Sequence, residues 1–397
     1  MVQYNFMKIK NIILVILSVV LSTYCTSSEN AFHSNSVPLI QSEITNSALL
    51  KSGENKSQIL SAIENCKDEN KDGLQFLLEN MPERDLKNLN EKFLLENLEY
   101  SYKVLDSVKW GKRIPKDIFL NYVLPYANLH ERRDNWRIDF FNKFLPIVKN
   151  LNSTSEAVLK LNEEVWKILN VQYSTKRPKA DQSPYETIDA EMASCTGLSI
   201  LLIDVCRAVG IPARFVGVPL WKDESGNHSW VEIWDDGWHF IGAAEESPLD
   251  KTWFGERALT SDDTNWKYSI YANSFKKTDV IFPPLFDSTA TYVYADIVTD
   301  RYSKQIHNND SVQFAIRLFD KKDGERIQGK ISVKQADKII ASGISKDEKH
   351  DYNDFLFFML KPNEDYEIIT EAKGKTKKQD VTLDKSKYQF HNIYLTE

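Results

Sequence analysis

A cysteine and a histidine in this sequence have the surroundings that nucleophilic catalysis requires. Cys195 begins an apolar run with helical spacing, so we expect its sulfur in the first turn of a helix. The unpaired N–H groups and positive dipole end at that position favour thiolate over thiol. His228 begins a short extended run, and an imidazole has the pKa needed to exchange a proton with a thiol. Together the two residues predict acyl transfer through a thioester.

The elements around these residues are predicted from the order of patterns along the chain. The helix that Cys195 begins should end at Gly210, because Pro212 prevents its continuation. Three short extended runs follow, separated by turn-forming residues: Ala213–Val218, His228–Trp234 and Trp238–Ile241. A helix followed by antiparallel strands allows the second strand to return past the start of the helix, which would bring the histidine to the cysteine.

The segment Ser194–Gly242 resembles the transglutaminase-like superfamily, whose papain-like thiol fold is shared by transglutaminases, peptide:N-glycanases and many bacterial proteases. Three motifs carry the resemblance: C-T-G at 195–197, C-R-A-V-G-I-P-A-R at 206–214 and H-S-W-V-E at 228–232. The resemblance implies a helix that carries the cysteine, packed on an antiparallel sheet that carries the histidine. It also implies that Cys195 is the nucleophile and His228 the general base.

The sequence departs from the family at the third catalytic position. The family usually has an Asp four residues after the Trp that opens the third strand, but Trp238 is followed at that distance by Gly242. Glycine cannot orient an imidazole. We expect Glu245 to replace the missing carboxylate, with Glu246 and Asp250 as the other nearby acids.

Further candidate residues are assigned lesser roles. Glu232, the glutamate on the histidine strand, is expected to be structural, because a carboxylate on that face can satisfy its neighbours. Gln172 and Gln182 precede the nucleophile, where related thiol enzymes have an oxyanion donor, and the sequence does not choose between them. The chain lacks C-x-x-C and H-E-x-x-H motifs, so we predict no metal and no cofactor.

The first 25 residues have the pattern of a signal peptide. Lys8 and Lys10 precede an apolar run at 12–21, which is too short for a stable membrane anchor. Cys25 stands where a bacterial lipoprotein carries its lipidated cysteine, and the sequence leaves lipidation and plain secretion open. We therefore predict an exported protein, periplasmic or at the cell surface, with a membrane contact only through such an anchor.

The remaining chain divides by composition and periodicity. A polar linker is expected at 26–55, a helical region at 56–150, the transglutaminase-like core at 151–289 and an accessory β-sandwich at 290–397. The sandwich is predicted because short alternating runs are split by polar turns, among them K-D-E-K-H-D-Y-N-D at 346–354. The fold class is thus α+β, and the sandwich is not expected to take part in the reaction.

The charge of the whole chain excludes one class of partner, and the motifs above predict a class of function. With 50 Lys and Arg against 57 Asp and Glu among 397 residues, the formal net charge is −7, which argues against nucleic acid as a partner. We predict an exported thiol enzyme, a hydrolase or acyltransferase, that acts on amide bonds in peptides, proteins or cell-wall polymers. The family resemblance favours hydrolysis over crosslinking, and the sequence does not show which acceptor is used. The alternative is a binding or scaffold module that kept the fold and lost turnover. Oligomeric state is not predicted.

Overall fold

The computed structural model describes residues 43–283, 290–303, 312–384 and 388–396, which belong to one compact unit. The predicted signal peptide and Cys25 lie outside the described residues. Within the described ranges, every helix is too short or too polar to cross a lipid bilayer.

Helices dominate the first half of the described chain, in agreement with the predicted helical region. They are α1 Glu43–Lys51, α2 Lys56–Asn65, α3 Lys71–Asn80, α4 Glu83–Asn88, α5 Glu91–Lys103, α6 Lys116–Tyr122, α7 Arg137–Val148, α8 Thr154–Leu169 and α9 Pro184–Ala190. Two short parallel strands, β1 Gln172–Tyr173 and β2 Met192–Ala193, flank α9. The apolar faces of these helices pack into one core that continues under the central sheet.

The structure differs from the predicted linker at residues 43–55. Helix α1 and a 3-10 turn at Gly53–Asn55 occupy this segment, and Ala48 is buried in the main core. The Asn55 side chain also donates hydrogen bonds to the backbone oxygens of Leu86 and Leu89. The polar composition of the segment concealed these few contacts, which tie it to the helical region.

The central sheet has six strands in the order β5-β4-β3-β6-β8-β7, all antiparallel. Its strands are β3 Ala213–Val218, β4 His228–Trp234, β5 Trp238–Ile241, β6 Tyr271–Ser274, β7 Val280–Ile281 and β8 Tyr294–Ile297, with α11 Gly255–Ala258 between β5 and β6. The bounds of β3, β4 and β5 are those predicted from the sequence. Strand β8 lies beyond the predicted start of the sandwich at 290, because it pairs with β6 and belongs to the core sheet.

Helix α10, Cys195–Ala208, is the central helix of the core. Every residue after Cys195 is buried, because α7 covers one side of the helix and β4 the other. The Ser194 hydroxyl accepts a hydrogen bond from the Gly197 N–H and caps the first turn. Gly210 adopts a φ of 76°, a left-handed conformation that favours glycine just after a helix. The cap and the glycine thus define where the helix begins and ends.

The C-terminal region forms two sheets that share a separate apolar core, as predicted for a sandwich. A short helix, α12 Thr299–Tyr302, precedes it. One sheet has the order β11-β10-β13-β14 and the other β12-β9-β15. The strands are β9 Val312–Phe319, β10 Lys330–Gln335, β11 Lys338–Ile344, β12 Leu356–Leu360, β13 Asp365–Ala372, β14 Lys375–Thr382 and β15 Tyr388–Tyr394. The polar run at 346–354 connects β11 to β12.

Glu232 on β4 holds a buried ionic network, in agreement with its predicted structural role. Its carboxylate pairs with Arg214, directly opposite on β3, at 2.7 Å and with Arg301 on α12 at 2.7 Å. The Tyr302 hydroxyl donates a further hydrogen bond to the same carboxylate. Glu232 has no exposed surface, so these partners replace the water that it loses on folding. The network keeps the histidine strand in place within the sheet.

Replacement of Glu232 by alanine tests this network. We expect Glu232→Ala to lower the free energy of unfolding by about 3–5 kcal/mol, because it leaves Arg214 buried without a countercharge. Urea unfolding followed by circular dichroism measures the change. Glu163→Ala is the matched control, since Glu163 pairs with Lys160 on an exposed helix face, and it should change stability little. Equal stability of the two variants would contradict a structural role for Glu232.

Candidate active site

The fold brings three chemically active side chains together at the start of α10. The Cys195 sulfur, a ring nitrogen of His228 and a carboxylate oxygen of Asp351 all lie within 4.8 Å of one another. Cys195 and His228 are the pair expected from the sequence. Asp351 was not expected there, because it lies in the 346–354 connection of the sandwich.

Cys195 occupies the first position of the helix, but its surroundings disfavour the thiolate. Backbone N–H groups of Ser229 and Thr196 donate to the sulfur and lower its pKa, as expected at a helix start. Burial and the nearby Asp351 carboxylate outweigh them and raise the pKa of the thiol well above its ordinary value. These surroundings therefore oppose the thiolate that the helix start was expected to favour, although Cys195 is only half-buried and its predicted position at the start of the helix is confirmed.

His228 lies in an aromatic enclosure and is 2% exposed. Its ring centroid is 4.7 Å from that of Trp253 and 4.8 Å from that of Phe254, and Trp221 and Trp230 stack at about 6 Å. Neither ring nitrogen has a hydrogen-bond partner among the described residues. Burial, with a smaller contribution from the positive charge of Arg257, lowers the pKa of His228 to about 3. The imidazole is therefore neutral in this arrangement, and the same burial makes it a weaker base than a free imidazole.

Asp351 connects the sandwich to Cys195 and His228. Its Oδ2 atom lies 3.7 Å from Nδ1 of His228, and its carboxylate accepts a hydrogen bond from the Cys195 thiol. Its Oδ1 atom accepts the Asn353 N–H at 2.8 Å, which fixes the side chain against its own loop. Burial raises the pKa of Asp351 to about 6, so the carboxylate is still largely ionised at neutral pH.

The loop that carries Asp351 is bound to the core by three hydrogen bonds. The Tyr352 N–H donates to the Tyr173 hydroxyl at 2.8 Å, and the Asn353 side chain donates to the Asn227 oxygen at 2.7 Å. The Arg257 guanidinium donates to the Asn353 oxygen at 2.9 Å. These contacts hold the loop over the site.

A cavity of about 500 Å³ opens beside the catalytic pair. Its walls combine the catalytic residues with charged groups of both the core and the 346–354 loop. The charged and catalytic lining residues are Cys195, His228, Glu245, Glu246, Lys346, Lys349, His350, Asp351 and Asp354. The cavity is large enough for part of a peptide, and both signs of charge are present in its wall.

Glu245 lines this cavity but lies outside the three-residue cluster. A Cβ atom built on Gly242 would lie 2.0 Å from Oε2 of Glu245, so the glutamate carboxyl fills the space that a side chain at 242 would need. Its Oε1 atom accepts a hydrogen bond from the Trp253 indole at 2.7 Å. Burial, reinforced by Asp351 and Asp354, raises the pKa of Glu245 to about 8. The carboxyl therefore stands beside the family position, but it is neutral at pH 7.

The two glutamines considered as oxyanion donors do not line the cavity. The Gln182 amide donates to the backbone oxygens of Glu186 and Met192 at 3.1 and 3.0 Å, so it ties the loop before α10 together. Gln172 is exposed on β1. The donors that do face the sulfur are the backbone N–H groups of Thr196 and Ser229. They are the available groups for a negative oxygen beside Cys195.

The sequence contained only a weak signal for Asp351. It lies more than a hundred residues after His228, in a polar run that is typical of a turn between strands. The sequence shows a high density of ionisable residues in that run, H-D-Y-N-D at 350–354. Only the tertiary structure places one of them, Asp351, beside the cysteine. Expectations that the sandwich takes no part in the site are therefore wrong.

The cluster also has the residue types of a metal site, which the sequence analysis did not predict. A tetrahedral zinc ion with bonds of about 2.0–2.3 Å requires ligand atoms roughly 3.5 Å apart. The three ligand atoms lie within 4.8 Å of one another, and Oδ2 of Asp351 is 3.7 Å from Nδ1 of His228, so these side chains could hold an ion after small movements.

Comparisons with known proteins are consistent with this core. Residues 145–243 match the model of the transglutaminase-like superfamily, whereas no curated protein matches the chain. A solved Cytophaga hutchinsonii protein named "Putative Cysteine Protease" is 24% identical, over 29% of this chain and 40% of that one, with a TM-score of 0.24. Red sea bream transglutaminase is 9% identical, over 70% of this chain and 65% of that one, with a TM-score of 0.33.

Both solved structures are only partly covered by this chain, which spans less than two thirds of either. Their TM-scores lie below 0.5, so the family assignment depends on the match at 145–243. That match contains Cys195 and His228 and ends before Glu245 and Asp351. Residues 145–243 of this chain are therefore a transglutaminase-like domain.

Proposed function

We propose that this protein is a thiol enzyme that cleaves amide bonds through an acyl-enzyme on Cys195. The observation that carries the proposal is the cluster of a thiol, a neutral imidazole and a carboxylate within 4.8 Å, beside a cavity at the start of a helix. Nucleophile, base and orienting carboxylate are the three groups that acyl transfer needs. The carboxylate comes from the sandwich, so the reacting groups are shared between two parts of the chain.

The proposed reaction has two steps. His228 takes the thiol proton as Cys195 attacks the amide carbonyl carbon, the C–N bond breaks, and the same proton passes to the leaving amine. Water then attacks the thioester, which releases the acid and restores the thiol. Because thiol and imidazole are both neutral at rest, we expect proton transfer to accompany attack.

Asp351 is a better orienting carboxylate than Glu245. It lies 3.7 Å from the imidazole, and it can stabilise the imidazolium that forms during attack because it is ionised at neutral pH. Glu245 remains protonated up to about pH 8 and offers no full negative charge below that. The replacement of the family aspartate thus falls to Asp351, and Glu245 fills the space over Gly242.

The substrate class follows from the predicted export. An exported hydrolase of this type would act on peptides, proteins or cell-wall amides, and the apolar run at 12–21 supports the export. One observation favours the alternative, a module without turnover: burial and Asp351 keep the Cys195 thiol protonated. An acylation assay distinguishes the enzyme from the module without turnover, because a site that has lost turnover would not be acylated.

Acylation of Cys195 is testable without knowledge of the substrate. 4-Nitrophenyl acetate should give a burst of nitrophenolate, since thiol attack forms the S–C bond and releases the phenolate. We expect Cys195→Ala to abolish the burst and His228→Ala to slow it by about a hundredfold or more. Cys66→Ala is the matched control, because Cys66 is a free cysteine away from the cavity. A wild-type protein without a burst would support the module without turnover.

Substitution by isosteric amides distinguishes the two candidate orienting carboxyl groups, Asp351 and Glu245. Asp351→Asn should slow acylation by about tenfold to a hundredfold, because the imidazolium loses its countercharge. Glu245→Gln should leave the rate at pH 7 nearly unchanged, since the glutamic acid is already neutral there. Stopped-flow burst rates measure both. The reverse result would make Glu245 the orienting residue, as the sequence alone suggested.

The acylation rate should also depend on pH through Asp351. As pH falls through about 6, Asp351 gains a proton and loses the charge that stabilises the imidazolium, so the rate should fall. His228 stays neutral over this range because its pKa is about 3. Burst rates between pH 5 and 8 should therefore decline below pH 6 in the wild type. The same decline in Asp351→Asn would assign it to another group.

A further inference from the structure

Arg326 is a buried arginine of the sandwich whose guanidinium group is surrounded by the 346–354 loop. It lies between β9 and β10, and its side chain is 1% exposed. The cavity does not include it, and the reaction proposed above does not use it. A buried guanidinium needs acceptors for its N–H groups, and here the loop supplies them to both Nη atoms, whereas Nε has no hydrogen-bond partner among the described residues.

Five backbone oxygens of the loop accept hydrogen bonds from this one side chain. Nη1 donates to the oxygens of Tyr352 and Asp354 at 3.2 and 3.0 Å. Nη2 donates to the oxygens of Asp347, His350 and Asp351 at 2.9, 2.7 and 3.1 Å. These oxygens can converge on one planar group only if the loop curls around it, so the guanidinium dictates the path of the backbone on both sides of Asp351.

A sixth hydrogen bond joins Arg326 to the same loop, this time through its backbone. The Arg326 backbone N–H donates to the Glu348 carboxylate at 2.7 Å, which binds the middle of the loop to the same residue. The outer surface of the loop contacts the core through Tyr173, Asn227 and Arg257. The loop is thus held between Arg326 on its inner side and the transglutaminase-like core on its outer side, with the Asp351 side chain directed at the cysteine and histidine.

We propose that Arg326 is a positioning residue, which shapes the 346–354 loop so that Asp351 reaches Cys195 and His228. The inference rests on the proposed function, because it gives Asp351 an orienting role there. Lysine could not replace the arginine, since a single ammonium group has three donors at one point and cannot span five oxygens. The sandwich is accordingly part of the active site and not an appendage.

Acylation rates of single and double variants of the full chain test this role. Arg326→Met should slow the 4-nitrophenyl acetate burst by about tenfold to a hundredfold, since small displacements of a reacting group have effects of that size. In the Asp351→Asn background the same change should have little further effect, because Arg326 acts through Asp351. An equal loss in both backgrounds would overturn the proposal, as it would show a general structural effect.

Two further variants serve as controls for a loss of folding in Arg326→Met. Arg326→Lys keeps the charge and most of the volume, and it should also slow the burst; a rate near wild type would show that charge alone suffices and would overturn the proposal. Val333→Ala removes part of a fully buried side chain on β10, in the same sandwich core. It should lower the thermal stability of the sandwich while the burst rate remains close to wild type.

Hydrogen exchange provides a measurement that does not require activity. In Arg326→Met the backbone N–H groups of 346–354 should exchange faster, including those of Asn353 and Asp354, which bond to Asp351. Unchanged exchange would overturn the positioning role whatever the acylation result. A wild-type protein without a burst, together with faster exchange in the variant, would reject the proposed enzyme and retain the effect of Arg326 on the loop.

Discussion

Burial of the histidine beside a half-buried cysteine is the constraint on which the site depends. Aromatic rings enclose the imidazole, and burial shifts the pKa of both groups toward their neutral forms. A thiolate–imidazolium pair is therefore disfavoured there. In the proposed reaction, any charge that develops during attack would be poorly screened, so a nearby carboxylate would have a large effect on the rate.

That dependence gives the C-terminal sandwich a role that its position in the chain does not suggest. The sandwich has its own apolar core, yet one of its loops reaches Cys195 and His228 and forms part of the cavity wall. Arg257 illustrates the coupling, since its guanidinium binds both Asp223 of the core and the Asn353 backbone of the loop. A change in the packing of the two parts would alter the acid beside the thiol, and hence its reactivity, without any change in the core.

The carboxyl groups of the histidine strand and of the cavity wall have different tasks because their environments differ. Glu232 is paired with two arginines and stabilises the sheet. Glu245 is enclosed beside Gly242 and is neutral at pH 7, whereas Asp351 keeps a charge there with the help of the Asn353 N–H and Arg326. Residue type alone does not distinguish these groups, so the nearest acid in the sequence is not the one closest to the imidazole.

The sequence by itself determined the helix at Cys195, the three strands after it and the pairing of Cys195 with His228. These features follow from local periodicity, capping residues and motifs that lie within fifty residues of one another. Tertiary structure decided the remainder: the helix formed by residues 43–51, the membership of β8 in the core sheet, the neutral state of the thiol and the arrival of Asp351. Those features depend on burial and on contacts between distant segments, and neither quantity can be read from local pattern.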